Sequence, residues 1–387
     1  MITGYSGRIY KTYQGSSFEL LSDVAEECTA KAGKDLNDID GLCTTYLPGI
    51  FDGKTYLHFF PDQVKQYLGI RTRYTDVVHF GGASALTMIY RAEKAVQSGE
   101  ADNVLCLIGG LSSRLRAAGV TADSVDKLDA KITLTPFDSL LRIYDDMNPV
   151  SDYALAAMRH AKLFGTTDEQ RAYLSVKQRN NAINNKGAIY RNSITVEDVL
   201  ASPMICDPLH LLEIVYPVDG FHAFLVSRSS SSSSLRSVEP LAYGEAHWSE
   251  LPAEIPDICT TPASESSKLA GFPLSRVDCF QLYDSFTITV MLQIEDIGLA
   301  QKGKSGQFVE NTDIAPSGSI PINTGGGSLN TGQPAFMSGG VLLMEALDQL
   351  NSAAEGHQVD GANVVYLNGM GGWNRSHSVT LVIGEKN

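Results

Sequence analysis

The sequence predicts a duplicated α/β protein: two related α/β halves, with a helical region inserted in the first. Near-continuous apolar strands alternate with amphipathic helices, the pattern of sheets covered on both faces. Two stretches of the first half recur in type and order in the second, at a separation far too long for a solenoid period. One α/β unit, copied and fused, accounts for that spacing.

The first pair is Ala32-Gly-Lys-Asp-Leu-Asn-Asp-Ile-Asp-Gly-Leu-Cys43 and Ala270-Gly-Phe-Pro-Leu-Ser-Arg-Val-Asp-Cys-Phe-Gln281. Each reads as a helix end closed by Ala-Gly, a short turn, and an apolar strand introduced by Asp. The second pair is Asn103-Val-Leu-Cys-Leu-Ile-Gly-Gly110 and Asn363-Val-Val-Tyr-Leu-Asn-Gly-Met-Gly-Gly372. A helix is expected before each strand, from Gly82 to Ser98 and from Gly339 to Asn351.

The polar, serine-rich run at 229–234 lies between apolar segments and suits an exposed connector. It sets the halves at 1–235 and 236–387. Residues 112–213 have no counterpart in the second half. They hold a helix-period run from Asp152 to Phe164 and a polar helix from Asp168 to Asn185, expected as a cap over a site or as extra helices completing the core.

At 387 residues, 43% hydrophobic and 19% charged, the chain is long enough for two core-bearing units. A net charge of -14 argues against nucleic acid as a partner, which would require a basic surface. An anionic ligand would then meet a local basic patch or the N–H groups at a helix N-terminus. The six cysteines show no CxxC or metal-like spacing and suit buried free thiols in a reducing cytoplasm. No apolar run is long enough to span a bilayer, and the start lacks a signal-peptide pattern, so a cytoplasmic protein without membrane insertion is expected.

Five segments, 81–102, 216–220, 283–286, 323–334 and 366–372, together resemble the thiolase superfamily, especially its sterol-carrier-protein thiolase, or lipid-transfer-protein, branch. The run from Gly81 through the helix to Gly99-Glu-Ala-Asp102 resembles the family's nucleophile turn and helix. Tyr216-Pro-Val-Asp-Gly220 resembles the stretch that closes the N-terminal half. Tyr283-Asp-Ser-Phe286 is similar to a His-Asp-Cys-Phe or Asn-Glu-Ala-Phe motif, and Asn323-Thr-Gly-Gly-Gly-Ser-Leu-Asn-Thr-Gly-Gln-Pro334 to a Gly-His-Pro loop. Tyr366-Leu-Asn-Gly-Met-Gly-Gly372 stands where the family carries a second catalytic Cys or His. The resemblance implies the thiolase fold, a five-layer α-β-α-β-α sandwich, and an acyl-CoA substrate with coenzyme A as part of it and no tightly bound cofactor or metal. At least a homodimer is implied too, and in Cys-less relatives a DUF35-type OB-fold partner.

Carried over residue by residue, the resemblance puts the nucleophilic Cys at Gly82, which has no side chain. Ser84 could replace it only with an adjacent base; helix capping is its ordinary role. Gln333 stands at the family's His and can hold an oxygen but not shuttle a proton. Tyr283 and Tyr366 take proton-handling positions. As hydrogen-bond donors they need no adjustment, whereas as bases they need a lowered pKa; each could instead cap a buried strand end. Tyr283, Gln333 and Tyr366 are thus the candidate catalytic residues. Gly82, Ser84, Asp284, Gly326, Asn368 and Gly369 are the candidates for the substrate or CoA site and the oxyanion hole. His79, His222 and His377 remain possible bases or satisfied structural residues.

Deleting the thiol removes the chemistry of an ordinary thiolase, which must hold an acyl group covalently. Retro-aldol cleavage of a β-hydroxyacyl-CoA needs a base and an enolate hole but no acyl-enzyme, and the resemblance extends to steroid side-chain aldolases that use tyrosines. Lipid or sterol degradation is the implied setting. Two other readings stay open: acyl transfer by a non-Cys route, for example through Ser84, and a non-catalytic acyl-CoA or lipid-binding scaffold for a DUF35-type protein.

Overall fold

The computed structural model describes residues 1–50, 59–117, 149–229, 235–248, 257–335, 339–372 and 375–385. Most of the serine-rich connector, and much of the region after 117 expected as a cap, lie outside the described residues. Numbered in chain order, the first half contains β1 (Ile2–Tyr10), α1 (Ser17–Lys31), β2 (Gly41–Thr44), α2 (Phe60–Leu68), β3 (Tyr74–Val77), α3 (Ser84–Ser98) and β4 (Asn103–Leu111). After these come α4 (Ser112–Ala117), α5 (Pro149–Phe164), α6 (Asp168–Ala182), α7 (Val196–Ala201), the short strands β5 (Met204–Cys206) and β6 (Leu209–His210), and β7 (Pro217–Ser227). The second half contains β8 (Val238–His247), α8 (Ala263–Ala270), β9 (Cys279–Leu282), α9 (Thr287–Asp296), α10 (Ser305–Asn311), α11 (Gly327–Thr331), β10 (Gln333–Pro334), α12 (Gly339–Leu350), β11 (Val364–Gly371) and β12 (His377–Glu385).

Sheet topology carries the duplication. The first half orders its strands β3-β2-β4-β7-β1 and the second β9-β11-β12-β8. β2 and β4 are parallel, as are β9 and β11, and the two remaining strands of each half run antiparallel. Only β3 lacks a full counterpart, reduced in the second half to a parallel bridge between Phe280 and Ile322. The edges of the two sheets meet where Ile2 pairs with Val238.

The repeated sequence signals have matching physical roles. Gly33 and Gly271 end α1 and α8 in the left-handed region, at φ +69° and +63°, where a side chain is disfavoured. Asp40 accepts the backbone N–H groups of Asp102 and Asn103 at the start of β4, and Asp278 accepts those of Asn363 and Val364 at the start of β11. In both copies the Asp that introduces one strand fixes the entry of its parallel neighbour.

Alternating side chains divide the interior into three cores separated by the two sheets. On β4, Val104, Cys106 and Ile108 face a central core that contains α3 and α12 and reaches Val365 and Leu367 of β11. Leu105 and Leu107 face an outer core under α1. On the far side, Phe280 and Tyr366 join an outer core with α9 and part of α5. Helix, sheet, paired helices, sheet and helix make the five layers. α3 starts two residues after the expected Gly82, behind a 3-10 turn at Gly81–Ala83, and α6 stops at Ala182, short of the expected Asn185. The six cysteines are free thiols. Among the described residues no helix is long and apolar enough to cross a membrane.

Asp278→Ala leaves two amides at the start of β11 without their charged acceptor, and we expect a loss of about 1–2 kcal/mol. Urea unfolding should show a lower midpoint at an unchanged slope; an unshifted midpoint contradicts the shared role of the two aspartates.

Candidate active site around Gly82 and Tyr283

Three glycines, one at the start of α12 and two on β11, converge on the turn that opens α3. A Cβ at Gly339 would lie 2.2 Å from the carbonyl oxygen of Gly82, one at Gly369 2.9 Å from Cα of Ala83, and one at Gly371 1.8 Å from the carbonyl oxygen of Phe80. Such backbone-to-backbone approach is possible only without side chains. The turn at Gly81–Ala83 is thereby wedged between the end of β11 and the start of α12.

Gly82 itself meets a side chain. A Cβ built there would stand 2.0 Å from Cε2 and 2.6 Å from Cδ2 of Tyr283, and 2.7 Å from the carbonyl oxygen of Met370. The phenol ring of Tyr283 therefore fills the space into which a residue at the helix entrance would project. Tyr283 follows β9, and its N–H donates to the carbonyl oxygen of Asn368 (2.9 Å) and to Oε1 of Gln293 (3.1 Å). Gln293 returns a hydrogen bond from Nε2 to the Tyr283 carbonyl oxygen. Both backbone groups of the tyrosine are thus held from neighbouring elements, which fixes the ring's origin.

On the side of the inserted region, Tyr153 of α5 is hydrogen-bonded through its hydroxyl to Tyr283. Its ring stacks on Phe286 at 4.0 Å between centroids. Arg375 places its guanidinium carbon 5.1 Å from the centre of the Tyr153 ring. Burial, followed by the charge of Tyr283, holds the Tyr153 phenol well above the ordinary tyrosine range, while Arg375 pulls it down. Neither Tyr153 nor Arg375 is marked out by the sequence. Tyr153 belongs to an ordinary helix-period run and Arg375 to a polar stretch next to the last strand, so only packing reveals them.

The remaining candidates are placed as follows. Gln333 is buried near Tyr283: its Oε1 accepts the Ser285 hydroxyl (3.0 Å) and its Nε2 donates to the Ala335 carbonyl oxygen (3.1 Å). Asp284 points away from the ring, accepting the N–H groups of Ser328 and Leu329 and an N–H of Gln178. Burial pushes its carboxyl up to about 6, against those donors. It ties the Tyr283 loop to the start of α11 and to α6. The hydroxyl of Ser84 accepts the Phe80 N–H at 2.8 Å, closing the turn, as expected of a capping residue.

Three expectations are corrected by position. Tyr366 is not beside Tyr283: on β11 it points to the outer core, against Phe280 and with its hydroxyl 3.3 Å from Oγ1 of Thr380, because strand alternation sends it to the opposite face from Val365 and Leu367. The side chain of Asn368 likewise binds Ser378 and Thr380, and only its backbone carbonyl serves the site. Gly326, at φ +94°, packs on α6, where a Cβ would be 2.4 Å from that of Ala182.

None of the three histidines touches Tyr283 in the hydrogen bonds described. Nδ1 of His377 pairs with Nδ1 of His247 at 2.8 Å, and His79 packs edge-on to Tyr46. His222 is buried, which pushes it down to about 4. It lines a separate cavity of about 260 Å³ beside α12, with Gln281, Glu345 and Asp348. Among the described residues no cluster of His, Cys, Asp or Glu could hold a metal ion.

The clash at position 82 makes a quantitative prediction. Gly82→Ala forces the Tyr283 ring aside and should cost about 1–3 kcal/mol. Adding Tyr283→Ala should remove most of that cost, so that a double-mutant cycle in urea gives a coupling of about 1 kcal/mol or more; strictly additive effects contradict the contact.

Comparison with known proteins agrees with this architecture. Residues 244–385 match the family model described as Thiolase C-terminal domain-like. An acetyl-CoA acetyltransferase of Methanothermobacter thermautotrophicus is 30% identical over 294 residues, covering 73% of this chain and 76% of the relative. A steroid side-chain-cleaving aldolase of Thermomonospora curvata is 26% identical over 374 residues, 92% of this chain and 91% of the relative. Among solved structures, an Ltp2-ChsH2(DUF35) aldolase superposes with a TM-score of 0.82 at 22% identity, covering 99% of this chain and 97% of that one. With its duplicated sheets, its glycine-wedged helix entrance and these relatives, the chain belongs to the thiolase superfamily, in the branch of sterol-carrier-protein-like thiolases.

Proposed function

We propose that the protein cleaves a carbon–carbon bond in a β-hydroxyacyl-CoA by a retro-aldol reaction, with Tyr283 as the proton-handling group. The observation that carries this reading is the occupation of the space beside Gly82 by the Tyr283 ring. A phenol stands at the helix entrance where an acyl-accepting side chain has no room. Ser84 does not replace it, since its hydroxyl is committed to the turn.

Tyr283 takes the proton of the β-hydroxyl as the Cα–Cβ bond breaks. The former alkoxide carbon becomes a ketone or aldehyde, and the bond's electron pair moves onto the thioester as an enolate. That enolate then receives the proton at its α-carbon. The reaction is redox-neutral and needs no covalent intermediate. Gln333, hydrogen-bonded to the Tyr283 loop through Ser285, is placed to hold a thioester oxygen by exchanging its bond to Ala335, and the backbone around Gly82 and Gly369 supplies the rest of the hole.

Support for the substrate class comes from the steroid side-chain-cleaving aldolase that resembles this chain over nearly its whole length. A bulky, sterol-like or lipid acyl-CoA is proposed accordingly. The name of the superposed aldolase includes a DUF35 component, which supports a DUF35-type partner for this chain. A homodimer is proposed by family resemblance.

The test is direct. Incubated with β-hydroxyacyl-CoA thioesters and a DUF35-type partner, the protein should release a carbonyl compound and a shortened acyl-CoA, without the mass gain of an acylated chain. Tyr283→Phe should lower kcat about 100-fold or more. No release by the unsubstituted protein across branched and sterol-sized substrates sinks the proposal.

A further inference from the structure

Arg375 is a buried cation, 3% exposed, that no carboxylate among the described residues pairs with. Its Nη1 and Nη2 donate to the carbonyl oxygens of Asp152 and Ile258, each at 3.2 Å, while its buried Nε has no acceptor. The backbone at this residue stands at φ +60°, in the left-handed region that side chains disfavour. A desolvated charge on a strained backbone, with its Nε unpartnered and no carboxylate on it among the described residues, is costly and favours a nearby anion.

The group that this cation faces is the phenol pair. Arg375 lies over the ring of Tyr153, and the Tyr153 hydroxyl is hydrogen-bonded to Tyr283. We propose that Arg375 and Tyr153 are positioning residues that hold Tyr283 as a phenolate, Tyr153 by donating its hydroxyl hydrogen bond to the Tyr283 oxygen and Arg375 by compensating the charge shared across the pair. The proposal rests on the retro-aldol reading and deepens it, for it supplies what a tyrosine base lacks at neutral pH. Tyr283 then starts as the phenolate, accepts the β-hydroxyl proton as the carbon–carbon bond breaks, and returns that proton to the α-carbon.

The direction of the hydrogen bond follows from the surroundings. Burial first of all keeps Tyr153 protonated, so in the proposed arrangement Tyr153 is the donor and its partner carries the charge. Of the other ionisable groups among the described residues, Asp152 on α5 acts against charge on Tyr153, and Cys259 is a neighbour on which Arg375 acts. Asp284, next in the chain, is occupied by Ser328, Leu329 and Gln178. The turn at Gly81–Ala83, the end of β11 at Met370 and the α9 residue Gln293 present no ionisable side chain to the ring.

The phenolate can be read without turnover. Near-ultraviolet tyrosinate titration of the full chain, taken as the difference between the unsubstituted protein and Tyr283→Phe, should show one tyrosine titrating at least about 2 pH units below the ordinary value near 10. Arg375→Met and Tyr153→Phe should each move that midpoint up by about 1 unit or more. Tyr153→Phe keeps the ring stacked on Phe286 and carries the test alone if Arg375→Met does not fold; Arg375→Lys, which restores the charge, should recover part of the shift. A difference titration near the ordinary range, or a midpoint that neither variant moves, overturns the proposal. The pH profile of product release separates the two readings. A low-titrating Tyr283 in a protein that releases no product sinks the cleavage reading alone, and release whose pH profile is the same in Tyr153→Phe and Arg375→Met sinks this one alone.

Discussion

A side chain at position 82 and the ring of Tyr283 cannot occupy the same space, and much of the site is arranged around that exclusion. The helix entrance, the end of β11 and the start of α12 meet through glycine backbones, so their relative positions are fixed to within a fraction of an ångström. Into this frame Tyr283 is held by both of its backbone groups, from Asn368 on one side and Gln293 on the other. The ring's origin is therefore fixed by hydrogen bonds from β11 and α9, and the phenol stands at the N-terminal entrance of α3.

Under the proposed function the reacting group changes within a retained architecture. A nucleophile at a helix entrance benefits from the local N–H groups, and so does an oxyanion; the same backbone serves either. Without the nucleophile, what remains is suited to holding negative oxygen and moving a proton. The inserted region gives that arrangement its own components, Tyr153 against the Tyr283 hydroxyl and Gln178 against Asp284. Two of its residues therefore contact the candidate site.

Polar groups close to the ring illustrate how burial sorts roles. Asp284 spends both oxygens on two amides and Gln178, and so acts as a strut between loops. Gln333 is joined to the same loop by accepting the Ser285 hydroxyl and donates its Nε2 to the Ala335 carbonyl oxygen, so both of its bonds are to neutral partners. Arg375 differs from both in carrying a full charge that, among the described residues, meets two carbonyl oxygens and the Tyr153 ring.

The sequence by itself determined the duplication, because short-range rules fix it: Gly33 and Gly271 close helices, Asp40 and Asp278 introduce strands, and apolar runs at 103–110 and 363–372 demand two-sided cover. The resemblance to the thiolase superfamily, carried over residue by residue, implied that Gly82 stands in the nucleophile's place and Tyr283 in another catalytic motif, but not that the two touch. Tertiary structure alone decided which side of β11 each residue faces, sending Tyr366 and the Asn368 side chain to the outer core. It alone brought together Tyr153, Tyr283 and Arg375, which no motif relates. A one-residue step along a strand reverses a side chain's direction, and contacts across more than a hundred residues depend on packing that no local pattern records.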